Sequence, residues 1–135
     1  MGELKVIRST DLSDTAGQTP GALRLSGIST STTDARRIWF GRVHNDPGMR
    51  SVPHHHGEAE TAGFVIKGQA RIYYGDGYRQ YVDMDEGDFI YVPAYFPHIE
   101  ANRSQTEPLD FLTARTPDNI VINLSDQADI DPSKT

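Results

Sequence analysis

The residues of this sequence with the clearest capacity for chemistry are its histidines, three of which are consecutive. In an extended segment side chains alternate between faces, so His54 and His56 point one way and His55 points the other. Two imidazoles on one face can bind a single ion, and Glu60 shares their parity if the chain stays extended. His98 follows much later, just after a strand candidate. The pattern favours a metal site built from two distant segments.

The chemistry of such a ligand set is that of a divalent first-row transition metal. Imidazoles with one carboxylate bind iron, manganese, nickel, zinc or copper, and ligand type alone does not select among them. The chain contains no cysteine, which excludes a thiolate ligand, a disulfide and a cysteine nucleophile. A His-X-His pair alone is more often ordinary polar surface than a metal site. The prediction therefore depends on the residues that surround the pair.

Short β-rich runs separated by turn residues surround the histidines. The strand candidates are residues 23–28, 38–43, 52–56, 63–66, 70–74, 78–82, 89–92, 109–114 and 120–124. Gly75-Asp76-Gly77 is a strong hairpin signal between two of these runs. No window keeps a 3.6-residue apolar period, which predicts little helix. Many short strands at regular spacing predict an all-β sandwich or barrel.

Size and charge limit the classes of partner. The 135 residues, 36% of them apolar, suffice for one domain with its own core. A formal charge of -6 leaves no surplus of basic residues for nucleic acid or for an anionic membrane surface. No segment approaches the roughly 20 apolar residues of a membrane span, and the first residues lack the apolar core of a signal peptide. We expect a cytoplasmic protein that binds neither nucleic acid nor membrane.

Two spaced patterns resemble the two sequence motifs of the cupin superfamily. The first runs from Gly48 over five residues to the histidine triplet and over three more to Glu60. The second runs from Gly87 through Pro93 and His98 to Asn102, with five, four and three residues between them. Both occur in the right order, and the resemblance covers residues 39–124.

The resemblance implies a particular fold and a particular ligand set. The fold is an all-β double-stranded β-helix, a jelly-roll barrel, with one divalent transition-metal ion at its open mouth. Carried over by position, the metal ligands are His54, His56, Glu60 and His98. Asn102 is expected to tie a loop by hydrogen bonds rather than to touch a substrate.

The resemblance also implies an organisation and an assembly. We expect an N-terminal arm with at most one or two strands over residues 1–36, a cupin barrel over residues 37–124 and a polar tail over residues 125–135. Single-domain members of the superfamily are often homodimers that pack through sheet faces and exchange N-terminal strands. We expect a homodimer, although the arm could equally cover its own barrel.

Two positions depart from the family pattern. Seven residues separate Glu60 from Gly68 where the family usually has six. Either a bulge absorbs the extra residue, or Thr61 takes the ligand position and Glu60 misses the metal. Parity with the two histidines favours Glu60. Tyr95 stands where the family usually has glycine, and because a side chain disfavours left-handed backbone we expect the loop to take another shape.

Several side chains are candidates for contact with a substrate. Arg42 and Arg71 could pair with a carboxylate if they face inward, and Tyr73 and Tyr91 could offer a hydroxyl group. We expect His55 to face away from the metal.

Two functions remain open at this point, beside a metal-free barrel in which the histidine cluster is structural. One is a metal-dependent enzyme acting on a small organic molecule, with oxygenase, isomerase, decarboxylase or lyase chemistry all found on the implied scaffold. The other is a metal-containing ligand-binding or sensing module without turnover. The sequence has no nucleophile elbow and no phosphate-binding glycine loop that would point to a second catalytic motif.

Overall fold

The computed structural model describes residues 2–15 and 17–124, which form two five-stranded antiparallel sheets. The strands are β1 (Leu23–Ile28), β2 (Trp39–Asn45), β3 (His54–His55), β4 (Glu60–Lys67), β5 (Ala70–Tyr74), β6 (Gln80–Met84), β7 (Phe89–Val92), β8 (His98–Asn102), β9 (Leu109–Thr116) and β10 (Ile122–Asn123). The first sheet has the order β1-β2-β9-β4-β7 and the second β10-β3-β8-β5-β6. The predicted all-β jelly-roll barrel is confirmed.

Helix is almost absent from the described part of the chain, as predicted. A three-residue 3-10 turn at Asp76–Tyr78 joins β5 to β6, where the glycine-rich hairpin signal stands. No helix within residues 2–15 and 17–124 has the length and apolar character needed to cross a bilayer.

The apolar core occupies one end of the space between the sheets. Alternating side chains of β9 point inward, and the register of the first sheet puts Val43, Phe111 and Val65 side by side on three neighbouring strands. Ile72 and Met84 from the second sheet belong to the same buried cluster. Burial of these side chains stabilises the two-sheet packing by roughly 1.5–3 kcal/mol for each large residue.

The other end of the interior is polar. Trp39 and Thr61 lie level with Arg115 in the first sheet, and all three are buried. The indole Nε1–H of Trp39 donates to Ser26 Oγ at 2.7 Å, and the guanidinium carbon of Arg115 lies 5.6 Å from the centre of a Trp39 ring. Arg115, in the polar level, lies four residues along β9 from Phe111, in the apolar core.

The N-terminal arm contributes one strand to the barrel. β1 pairs antiparallel with β2 at the edge of the first sheet, so the arm covers its own barrel within the chain. The inward-facing residues of β1 are Arg24 and Ser26, whereas Leu23 is exposed. The predicted polar tail, residues 125–135, lies outside the described residues.

The loop before β8 differs from the sequence expectation. Tyr95 takes the left-handed conformation, with φ of 59°, that a glycine usually occupies. Its backbone N–H donates to the Gly57 carbonyl at 2.7 Å, and its ring lies 6.1 Å from that of His55. The expectation of another loop shape was wrong, because this anchoring offsets a conformational cost of about 1–2 kcal/mol.

Asn102 ties the loops at the far end of β8, as predicted. Its buried Nδ2 donates to the carbonyls of Asn45, Asp46 and Glu107, and its Oδ1 accepts the backbone N–H of Ser104. The side chain thereby joins the segment after β2 to the segment before β9.

Gly41 has no side chain, and this leaves room for the Trp39 ring to lie over β2. A Cβ at this position would lie 2.3 Å from the Leu25 carbonyl oxygen and 2.7 Å from the Trp39 ring. We therefore predict that Gly41→Ala lowers the free energy of unfolding by roughly 1–3 kcal/mol, as overpacking does. Urea unfolding followed by tryptophan fluorescence measures the change. Gly2→Ala is the control, since its Cβ would meet nothing within 4 Å; equal stability of both variants would contradict the prediction.

Candidate metal centre

Three of the predicted ligands meet in the polar end of the barrel. His54 in β3 pairs directly with His98 in β8, and His56 follows β3 on the same face as His54. The ring centres are 4.4–5.3 Å apart, and one ring nitrogen from each histidine lies within 4.8 Å of the other two. None of the three side chains is more than 2% exposed.

Backbone carbonyls fix the orientation of every ring. The Nδ1 atoms lie 2.8–2.9 Å from carbonyl oxygens, His54 on Val52, His56 on Ile120 and His98 on Phe96. A carbonyl can only accept, so each Nδ1 carries the proton and each Nε2 keeps its lone pair. This arrangement is typical of metal-binding histidines, whose second nitrogen is held by an outer hydrogen bond.

The electrostatic surroundings keep the three imidazoles neutral. Burial is the largest cause that lowers the pKa of each ring. The Arg115 guanidinium further lowers the pKa of His56, and the neighbouring His98 and Arg24 further lower that of His54. Neutral imidazole is the form that binds a metal.

Glu60 does not join the histidines. The chain turns at Gly57, which has φ of 55°, so it does not stay extended between His56 and Glu60 and the parity argument fails. Glu60 lies on the outer, exposed face of β4, where its carboxylate accepts a hydrogen bond from the Tyr91 hydroxyl. Thr61 faces inward instead. The prediction that Glu60 joins the histidines is therefore wrong. The alternative, in which Thr61 takes the inward position and Glu60 misses the cluster, agrees with the structure.

The side chains that do join the cluster are two buried arginines. Arg24 Nη2 lies 3.4 Å from His54 Nε2, and Arg115 Nη2 lies 3.1 Å from His56 Nε2. Arg24 is fully buried and Arg115 is 2% exposed. Burial lowers the pKa of Arg115 to about 9. The polar end of the barrel therefore holds two cations beside the imidazole lone pairs.

One carboxylate, that of Glu100, lies on the inner face of β8 two residues after His98. Glu100 is 7% exposed, and its Oε2 has no hydrogen-bond partner. It forms no ion pair with any residue in the described part of the chain, although its charge raises the pKa values of Arg24 and Arg115. Arg24 Nε is likewise buried without a partner.

Neither predicted arginine reaches the site. Arg71 pairs with Asp83 through two hydrogen bonds on the outer face of the second sheet, and Arg42 lies 3.5 Å from Asp110 near the surface. His55 points away from the cluster, as predicted, and its Nδ1 accepts the Gly57 N–H.

Neither predicted tyrosine reaches the site either. Tyr73 packs in a separate cluster with Tyr78, Ile99 and Ala101, and Tyr91 is exposed.

The sequence carried a signal for one of the two arginines it missed. Arg115 keeps the parity of Leu109 and Phe111, which are obvious inward residues of β9. No such signal existed for Arg24, because its apolar neighbours Leu23 and Leu25 predict that they face inward and that Arg24 faces outward.

The donor set fits a transition metal. Three neutral imidazoles with converging Nε2 lone pairs supply three ligands to one ion and leave further coordination positions to other groups. The polar atoms left unpartnered on Arg24 and Glu100 lie in the same buried layer, which is typical of a site that receives a further group.

The sequence matches a protein-family model. The family model for the cupin domain matches residues 41–115. No match was found among curated protein sequences.

Solved structures share the fold. The polyketide cyclase RemF from Streptomyces resistomycificus is 20% identical, with a TM-score of 0.73, and the match covers 98% of this chain and 92% of the cyclase. An uncharacterized protein with a double-stranded β-helix domain from Klebsiella pneumoniae is 18% identical, with a TM-score of 0.65 and coverages of 83% and 91%. Bacillus subtilis oxalate decarboxylase is 26% identical with a TM-score of 0.67; the match covers 81% of this chain but 29% of the enzyme.

The burial of neutral histidines makes the metal-free protein sensitive to acid. Below about pH 6.5 the unfolded chain protonates these three histidines more readily than the folded chain, in which burial lowers their pKa values. We therefore predict that the free energy of unfolding falls between about pH 7 and about pH 5.5, by up to about 1.4 kcal/mol per pH unit for each histidine. His44 opposes this loss, because Asp110 raises its pKa in the folded state.

Urea unfolding of chelator-treated protein across this pH range tests the prediction. Stability that stays constant or rises as the pH falls would contradict the neutral, buried state of the cluster.

Proposed function

The chain belongs to the cupin family, and from that premise we propose that it holds one divalent transition-metal ion on His54, His56 and His98 and acts on a small organic molecule inside the barrel. The observation that carries the proposal is the approach of one ring nitrogen from each of three buried histidines to within 4.8 Å of the other two. The hydrogen bonds from Nδ1 to backbone carbonyls support the proposal, because they exclude the tautomers in which Nε2 carries the proton.

The metal would be iron, manganese, nickel, zinc or copper, in keeping with the nitrogen ligands. When bound, such an ion supplies Lewis-acid chemistry, or dioxygen chemistry if it is redox-active. A structure of Bacillus subtilis oxalate decarboxylase, 24% identical over 81% of this chain, concerns that enzyme's Mn(II) centers. This supports a metal in the same fold without fixing its identity here.

The chain's own residues would bind and enclose the molecule. The histidines, Arg24 and Arg115 are all buried, so a molecule at the cluster is shielded from bulk water. Thr61 replaces a carboxylate at the inward position of β4, and its Oγ1 accepts the Nε–H of Arg115 at 3.0 Å. The position is therefore used to hold a cation rather than to ligate a metal.

A second function, a metal-containing binding or sensing module without turnover, is favoured by one observation. Glu100 is the only carboxylate on the inner face beside the described cluster. With the imidazole lone pairs on the metal and the arginines acting as permanent donors, few side chains there could accept a proton from a substrate. Incubation of the iron- or manganese-loaded protein with a small-metabolite panel, followed by oxygen uptake and mass spectrometry, separates the two functions. Product formation favours the enzyme, and binding without product favours the module.

The ligand set leads to a prediction about metal content. His98→Ala should reduce bound metal from about one ion per chain to near zero, because two imidazoles at a buried site hold an ion far less tightly than three. Elemental analysis of untagged protein measures the content, and circular dichroism checks the fold.

Glu60→Gln and His55→Ala are the matched controls, since both side chains lie outside the cluster. They should keep full metal content. Loss of metal in Glu60→Gln, or its retention in His98→Ala, would contradict the three-histidine site.

We also propose that the chain forms a homodimer through the outer face of the first sheet. This face carries Phe40, Phe64, Phe89 and Leu112, with Phe89 79% exposed and its ring 4.8 Å from that of Phe64. Contiguous exposed aromatic side chains of this kind are typical of protein interfaces. A second copy would bury the same face on both partners, as two-fold symmetry requires.

The dimer proposal predicts that Phe89→Ser shifts the protein from dimer to monomer, because it removes the most exposed aromatic side chain of the face. Light scattering over a range of concentrations measures the mass. Val82→Ser, an exposed apolar residue of the second sheet, is the control. A wild-type mass of about 15 kDa at all concentrations would contradict the dimer.

A further inference from the structure

The inner faces of the two sheets bring opposite kinds of chemistry together. The second sheet supplies His54, His98 and Glu100, and the first supplies Arg24 and Arg115. Two guanidinium groups and one carboxylate leave this buried layer with a net charge of about +1 before any metal binds, since the histidines are neutral. A divalent ion raises the net charge to about +3. Uncompensated charge in a buried site is costly, so the layer favours a bound anion.

Polar neighbours hold the two guanidinium groups in place. Arg24 Nη1 donates to Thr19 Oγ1 at 2.7 Å, and Arg115 donates through Nη1 to Asn119 Oδ1 at 2.9 Å and through Nε to Thr61. The remaining Nη2 of each arginine faces a histidine Nε2. One side of each guanidinium is therefore anchored, and the other is presented to the cluster.

These presented donors lose their acceptors when a metal takes the histidine lone pairs. Arg24 Nη2 and Arg115 Nη2 would then be buried without acceptors, and Arg24 Nε has none in any case. Burying a donor without an acceptor is unfavourable, and more so when the donor is charged. An oxygen anion between the arginines and the cluster would satisfy all three N–H groups.

We infer that the molecule bound at this site is a small carboxylate, held by Arg24 and Arg115 next to the histidine cluster. A carboxylate matches the net charge of about +1 in the metal-free layer and offers two oxygens to two planar donors. The inference rests on the proposed function for the neighbouring metal, but Arg24 Nε is buried without an acceptor in the metal-free protein as well.

The test is therefore made first on the metal-free protein. Isothermal titration calorimetry compares acetate, malonate and benzoate with their neutral amides, acetamide, malonamide and benzamide, and with inorganic phosphate. At least one carboxylate should bind one to one and about 10- to 100-fold more tightly than its amide, as expected for charge-assisted hydrogen bonds. Equal affinity for acid and amide, no carboxylate binding, or tighter binding of phosphate would overturn the inference.

Substitution locates the binding. Arg24→Met should weaken binding of the preferred carboxylate about 10- to 100-fold, and Arg24→Lys, which keeps the charge but loses the fork, should give a smaller loss. Arg71→Met is the control, because Arg71 pairs with Asp83 on the outer face. If both Arg24 variants fail to fold, the wild-type comparison of acids with amides still decides the question. Unchanged affinity in folded Arg24→Met would overturn the assignment.

Metal content is measured separately by elemental analysis. A protein that binds a carboxylate but no metal would refute the proposed function and keep the inference. A protein that binds a metal but, in its metal-free form, no carboxylate would overturn the inference and keep the proposed function.

Discussion

The structure depends on how one end of a β-barrel buries polar and charged groups away from bulk solvent. Three imidazoles, two guanidinium groups and a carboxylate share an interior in which the exposed fraction of each is below a tenth. Each imidazole escapes the full cost of burial by staying neutral and by donating its Nδ1–H to a backbone carbonyl. The lone pairs left on the Nε2 atoms, and the arginine donors that face them, then set what the site can bind.

The rest of the fold supports this arrangement. The apolar cluster around Phe111 fixes the distance between the sheets, and the direct pairing of His54 with His98 sets two rings against each other. Trp39 lies beside Arg115, with the space above Gly41 left free for its ring. The N-terminal strand adds Arg24 from the sheet edge, so the site is incomplete without the arm.

The departure from the family pattern changes the character of the site. In the sequence pattern a glutamate closes the ligand set, whereas here a threonine faces inward and receives a hydrogen bond from Arg115. A carboxylate ligand would have offset part of a metal's charge. Its absence from the cluster, together with two buried arginines, leaves donors that face the histidine lone pairs.

The sequence by itself determined nine of the ten described strands, the barrel and the three histidines, because these follow from local alternation, turn residues and motif spacing. β8 (His98–Asn102) lay in no strand candidate. It favoured Glu60 over Thr61 as the inward residue and was wrong, since the outcome depends on the turn at Gly57, which breaks the parity of the extended chain. Alternation along β9 indicated the inward face of Arg115, but the contacts of both arginines with the histidines were decided by the tertiary structure. Which face of an edge strand turns inward, and which lone pair a guanidinium meets, depends on how two sheets pack across the barrel, and no local pattern encodes that contact.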